Sequence, residues 1–185
     1  MSAWDLPQSV ELGGKQYHIN ADFREVLEVI DYLTDPERPE YIRWRIALSL
    51  FYDEKIPPEI AQEAMEAMVG FIGENEEPDK KPMPKLIDWG QDSKAIIADV
   101  NKVAGCEIRS LQFLHWWTFL AYFRGVGEGQ LSTIVSIRSK LANHKKLEKW
   151  EQEYYQENKK TIDFKKRYTA EELEEQARLN EILNG

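Results

Sequence analysis

Three aspartates and three histidines are the residues of this chain best suited to chemistry. Asp88, Asp92 and Asp99 lie close together in sequence, and carboxylates so grouped are the ligand type of a magnesium-dependent nuclease. His18, His115 and His144 stand far apart. None has a second His or Cys at metal-ligand spacing, so no zinc site is expected. Cys106, the only cysteine, would make a nucleophile–base pair with His115, but a lone Cys is more often a small buried hydrophobe. The GVGEG run at Gly125–Gly129 lacks the Lys-Ser/Thr that follows a phosphate loop and the strand that precedes one.

The remaining candidates have structural readings that outweigh the chemical ones. His115, inside an aromatic run, reads as a hydrogen-bonded core residue before a proton shuttle. Asp88 and Asp92, four apart, share a helix face where like charges repel unless neutralised. Their preferred placement is at the helix N-terminus, where negative charge meets the positive dipole end. Arg138 closes the run SIRSK on an otherwise apolar stripe, and Asp92 is its natural partner in a structural ion pair. No catalytic, cofactor or metal-ligating residue is assigned, and the chain is expected to bind rather than to catalyse.

The element that must organise such residues is Leu111–Phe123, LQFLHWWTFLAYF. Thirteen mostly apolar residues without Gly or Pro are long for a strand and read as a helix buried on most of its circumference, with Ser110 as N-cap. Trp116 and Trp117 are among its largest side chains. Ahead of it, Gly13-Gly14 between Val10/Leu12 and Tyr17/Ile19 predicts a two-residue β-hairpin. A lone hairpin is marginal in water, so it packs on the body or pairs with a partner's strand edge.

Helices are predicted from Asp22 to Leu33, Glu40 to Tyr52, Pro58 to Gly73, near Asp88 to Gly105, and Leu131 to Leu141. In the third, Met65 and Met68 read as core fillers. Gly105 is placed to end its helix in a left-handed cap. The Pro- and charge-rich stretch 74–85 reads as a mobile linker. The expected architecture is mainly α: a compact multi-helix domain, 1–142, around a buried aromatic helix, with an N-terminal hairpin and a charged helical tail, 143–185. In that tail Thr169 and Glu172 have capping-box spacing. Leu173, Leu179, Ile182 and Leu183 give a thin apolar stripe, which with Val10 and Tyr17 makes the candidate partner-binding set.

The 185 residues carry a net charge of −9, which argues against nucleic acid as the main partner. A single cysteine fits a reducing cytosol. The start, MSAWDLPQSV, has neither the basic flank nor the apolar core of a signal peptide. The aromatic run falls short of the roughly 20 apolar residues a bilayer span needs. A soluble, cytoplasmic protein is expected.

Three motifs in order, DWGQDSKAI (Asp88–Ile96, with Gln91 at its centre), LHWWTFLAYFRG (Leu114–Gly125) and TIVSIRSKL (Thr133–Leu141), resemble a family of phage and prophage proteins of Gram-positive bacteria named after a fifteenth gene product. The early helix DFREVLEVID (Asp22–Asp31) is similar too, and the resemblance covers roughly residues 8–145. In such phages the gene lies in the tail cluster, close before that of the tape-measure protein, the position held by tail assembly chaperones. The resemblance therefore implies a non-enzymatic assembly factor of the host cytoplasm, absent from the mature virion. Its partners would be the tape-measure and tail-tube proteins, with self-association in addition. The alternative it leaves is a tail-completion or connector component of the virion.

Overall fold

The computed structural model of the chain describes residues 4–75 and 84–184, without the side chains of 182–184. It divides into two compact units, Met1–Asn75 with Lys166–Gly185, and Glu76–Lys165. Helix accounts for 59% of the described residues, with nine α-helices among them beside one two-stranded hairpin. The mainly α fold expected from the periodicity is the fold adopted.

In the first unit, β1 (Ser9–Leu12) and β2 (Lys15–His18) pair antiparallel, with Val10 opposite Tyr17 and Leu12 opposite Lys15. The turn between them has φ of 55° at Gly13 and 79° at Gly14, the left-handed pair that a two-residue hairpin turn requires. Val10, Leu12 and Tyr17 share one face of this hairpin, and that face is turned inward. Leu12 and Tyr17 are buried and Val10 half-buried. The Tyr17 ring meets Tyr52 edge-on. Tyr17, named from sequence as a candidate partner contact, is buried in this unit, because register carries every side chain of a face in or out together.

Three helices complete that core: α1 (Phe23–Leu33), α2 (Glu40–Phe51) and α3 (Ala61–Ile72), the last entered through a 3-10 turn at Pro58–Ile60. Asp22 caps α1 by accepting from the Arg24 N–H at 3.0 Å. Val26, Val29, Ala47, Phe51, Ala64 and Met68 are fully buried, and the rings of Phe51 and Phe71 lie 5.4 Å apart. Met68 fills the core as read from sequence, whereas Val69 is exposed. The Gly13 N–H donates to the Glu63 carboxylate on α3 at 3.1 and 3.2 Å, which anchors the hairpin turn.

In the second unit, α4 (Ser93–Ala104) packs against α5 (Trp116–Arg124) and α6 (Gln130–Ala142). Gly105 ends α4 at φ 70°, the left-handed cap for which glycine has no Cβ penalty. The aromatic helix starts later than expected. Ile108–Ser110 forms a separate 3-10 turn, Phe113 is exposed, and His115 rather than Ser110 caps α5. The helix is also not buried all round. Trp116, Phe119 and Leu120 form one buried stripe at three- and four-residue spacing, while Ala121 is exposed and Trp117 half-buried. Trp89 completes the cluster, 5.9 Å from Trp116 and 5.0 Å from Phe123 by ring centroid.

Two short helices follow, α7 (Lys149–Glu157) and α8 (Lys159–Ile162). Residues 143–165 cluster with this second unit, so the division read from sequence at 142/143 is not where the contacts divide. The remaining helix, α9 (Ala170–Asn184), belongs to the first unit. Thr169 and Glu172 cap it reciprocally, at 2.8 and 3.1 Å. Residues 76–83, most of the expected linker, lie outside the described residues. Among the described residues no helix is long and apolar enough to cross a membrane.

This burial pattern ranks the two adjacent tryptophans. Trp116→Ala is expected to destabilise the protein by about 3–5 kcal/mol, and Trp117→Ala by clearly less, both read from urea denaturation.

Candidate functional site

The polar residues of the second unit converge on Arg138. Its position on α6 turns it inward beside Ile134 and Ile137, so the guanidinium leaves water: the side chain is 4% exposed and that of Asp92 0%. Burying such charges requires paired, hydrogen-bonded partners. Arg138 Nη1 and Nη2 donate to the two Asp92 oxygens at 2.6 and 2.9 Å in a bidentate pair. The remaining N–H groups donate to main-chain carbonyls: Nε to Ile162 at 2.6 Å, Nη1 to Leu86 at 2.9 Å and Nη2 to Thr161 at 3.0 Å. All five guanidinium donors are therefore used. The Phe164 ring covers the guanidinium at 4.0 Å, a cation–π contact.

Asp92 is the N-cap residue of α4 and also accepts from the Asp88 N–H at 2.9 Å. Asp88 accepts from the Gln91 N–H and from Lys85, both at 2.8 Å. Asp92 stands at the N-terminus of α4 without capping it by its side chain, whereas Asp88 precedes the turn that leads into the helix; Arg138 and Lys85 neutralise them. Gln91 behaves as a piece of main chain. Its Nε2 donates to the carbonyls of Thr161 and Asp163 at 2.9 and 2.8 Å, and its Oε1 accepts from the Lys165 N–H at 3.0 Å. Thr161 and Ile162 end the single-turn α8, whose last carbonyls have no partner within the helix. Arg138 and Gln91 supply those partners.

Asp99 stands apart from this group. It accepts from the Leu131 N–H at 2.9 Å and from Lys102 at 2.7 Å, placing its charge at the N-terminus of α6. A Cβ on Gly129 would come within 2.6 Å of the Asp99 Cγ, so only glycine leaves room for this carboxylate. Each aspartate is committed to its own cation and N–H groups. Among the described residues no group of three or more His, Cys, Asp or Glu is placed to hold a metal ion. His115 is buried and its Nδ1 accepts from the Trp117 N–H at 3.1 Å. In the neutral ring the proton is then on Nε2. Cys106 is exposed.

Two further polar contacts, one of them buried, were not legible in the sequence. Glu151, in a tail dense with Glu and Lys, is fully buried, and both its oxygens accept from Lys140 at 2.6 and 2.7 Å. The only signal was the Glu148-x-x-Glu151 capping spacing, realised as a 2.8 Å bond from the Glu148 N–H. Those two interactions hold the Glu151 carboxyl below its ordinary value, Lys140 being the stronger cause. Near the end of α4, hydrogen bonds from the Arg109 side chain, the Arg109 N–H and Asn101 hold Glu107 at about 2.

The candidate partner-binding residues are dispersed. Leu173 and Leu179 are exposed on α9, Tyr17 and Val10 belong to the hairpin face, and the side chains of Ile182 and Leu183 lie outside the described residues.

Arg138→Met is expected to cost about 3–5 kcal/mol by stranding the buried Asp92 charge, and Asp92→Asn combined with Arg138→Met to cost less, both by chemical denaturation. Acid stability provides a second check. A carboxyl depressed in the folded state stabilises fully above its unfolded value of 4.5, and the contribution fades as pH falls through the folded value. The melting temperature is expected to drop below pH 4.5, less steeply in Glu151→Gln.

A model of the Bacteriophage Gp15 protein family matches residues 4–164. The match extends beyond residue 145, where the resemblance read from sequence ends, and takes in Thr161, Ile162 and Asp163, whose carbonyls Gln91 and Arg138 hold. Neither the curated proteins nor the solved structures gave a match. With most of its length matched, including the motifs that build the Asp92–Arg138 centre, the chain belongs to the bacteriophage Gp15 family and is a phage structural or assembly-related protein.

Proposed function

We propose that this protein is a tail assembly chaperone: a non-enzymatic factor that binds the tape-measure protein in the host cytoplasm and helps recruit tail-tube subunits to it. The observation that carries this reading is α9. Every described side chain from Glu171 to Glu181 is exposed, with Leu173 at 38% and Leu179 at 51%. A capped helix that presents leucines to water gains from entering an apolar groove or a helical partner. A tape-measure chain, long, helical and rich in apolar residues, needs such cover until the tube has polymerised around it. The net charge of −9 keeps the covering protein soluble while that surface is open.

The buried polar centre supports the same reading from the opposite direction. Asp88, Gln91, Asp92 and Arg138 bond to one another, to Lys85 and to the chain's own main-chain groups. Their role in this proposal is to hold the C-terminal part of the second unit, and the work of the protein is gripping another polypeptide.

Co-expression with the tape-measure protein tests the proposal. Its soluble yield is expected to rise in the presence of this chain, and to fall back when Leu173 and Leu179 are both replaced by Asp. A tape-measure yield unaffected by the wild-type chain would sink the chaperone reading. Detection of the chain in purified virions by mass spectrometry would favour a tail-completion component instead.

A further inference from the structure

The hairpin of the first unit keeps one edge open. In a two-residue hairpin the residues flanking the turn exchange main-chain hydrogen bonds, and the pattern then alternates along both strands. With Leu12 opposite Lys15 and Val10 opposite Tyr17, the N–H and C=O groups of Leu12 and Val10 turn toward β2. Those of Ser9 and Glu11 turn away from it. The Ile19 N–H, donating to the Gln8 carbonyl at 3.1 Å, continues the same alternation. The far edge of β2 is closed: the Asp53 N–H donates to the His18 carbonyl at 3.3 Å, and Ile19 bridges to Tyr52. On β1 the outward main-chain groups of Ser9 and Glu11 meet no partner among the described residues, and Glu11 is exposed.

An unpaired edge is a template for another strand, and the sequence of this one favours its own copy. Antiparallel pairing about a twofold axis requires outward residues to face outward residues, which restricts the axis to Ser9, Val10 or Glu11. An axis at Ser9 sets Glu11 against Pro7, which has no N–H to give. An axis at Glu11 sets two carboxylates directly opposite each other. It also sets Ser9 against Gly13, whose N–H is already committed to Glu63. An axis at Val10 sets Ser9 against Glu11 on both sides. Every outward N–H and C=O is then met, and no like charges oppose. The two Val10 side chains, on the face shared with Leu12 and Tyr17, become a non-hydrogen-bonded pair, the kind in which side chains come closest.

We propose that this protein forms a twofold dimer by pairing β1 with β1 of a second copy, antiparallel about Val10, into one sheet ordered β2–β1–β1–β2. The same edge is used up on both copies, so assembly stops at the dimer. Pairing over so short a strand is weak by main chain alone. Leu6 and Trp4, 50% and 94% exposed, lead into this edge, and the Val10 register carries Leu6 toward the second copy's turn at Gly14, which adds apolar cover. Each dimer brings two α9 helices to one client, a consequence that rests on the chaperone reading, whereas the dimer itself does not.

Sedimentation velocity of the full chain alone tests this. The expected result is a concentration-dependent equilibrium between the 21.7 kDa chain and twice that mass. Ser9→Glu places a carboxylate against the second copy's Glu11 on both sides of the axis and is expected to weaken the dimer about tenfold. Ser9→Lys places an ammonium group there and is expected to tighten it. Hydrogen exchange of the wild type, read by NMR, needs no variant. The Ser9 and Glu11 amides are expected to slow as concentration rises, while those of Val10 and Leu12, bonded to β2, stay unchanged. A chain that remains monomeric at the highest concentration it tolerates overturns the proposal. So does a dimer that responds alike to Ser9→Glu and Ser9→Lys, or exchange at Ser9 and Glu11 that ignores concentration.

Discussion

The second unit depends on one buried ion pair. Removing both charges of Arg138 and Asp92 from water is expensive, and their mutual attraction offsets the cost only when every remaining donor and lone pair is met. The geometry meets that condition, since all five guanidinium N–H groups have acceptors and both Asp92 oxygens are held. A pair of this kind adds little net stability over an apolar replacement, but it tolerates few other arrangements. It admits one position for Leu86, one for the end of α8 and one for the start of α4, and therefore acts as a register device.

That register explains why a highly charged segment belongs to a folded unit. Residues 143–165 bury one aliphatic side chain, far too little to hold a 23-residue segment by the hydrophobic effect alone. What holds it is the set of carbonyls that a one-turn helix leaves unsatisfied, met by Gln91 and Arg138, together with the buried Lys140–Glu151 pair. Side chains supplied by α4 and α6 thus replace what apolar packing does elsewhere in the molecule. The family match running to residue 164 fits this boundary.

The first unit follows different physics. Its hairpin, fixed by two left-handed glycines, packs Leu12 and Tyr17 inward onto helices that share Phe51, Met68 and Phe71. Apolar burial dominates here, and hydrogen bonds such as Gly13 to Glu63 settle orientation. The surplus after that packing is α9, capped at Thr169 and exposed at every described side chain from Glu171 to Glu181.

Sequence alone determined most of the element types, the hairpin turn, most helix boundaries and the Asp92–Arg138 pairing, though not the separate helices α7 and α8. Each rests on local period, on glycine and proline chemistry, or on a charge that has no other reason to sit on an apolar stripe. The tertiary structure decided the rest. His115 displaced Ser110 as the cap of α5 because Ile108–Ser110 closed a separate 3-10 turn, a choice between two competent local signals. Tyr17 went into the core because the apolar face it shares with Val10 and Leu12 packs on the helices of its own unit; alternation marks that face, but what covers it is written in no strand. Glu151 became the buried glutamate of a tail full of glutamates because Lys140 lies opposite it, and the distance between two side chains on different helices is written in no single stretch of sequence.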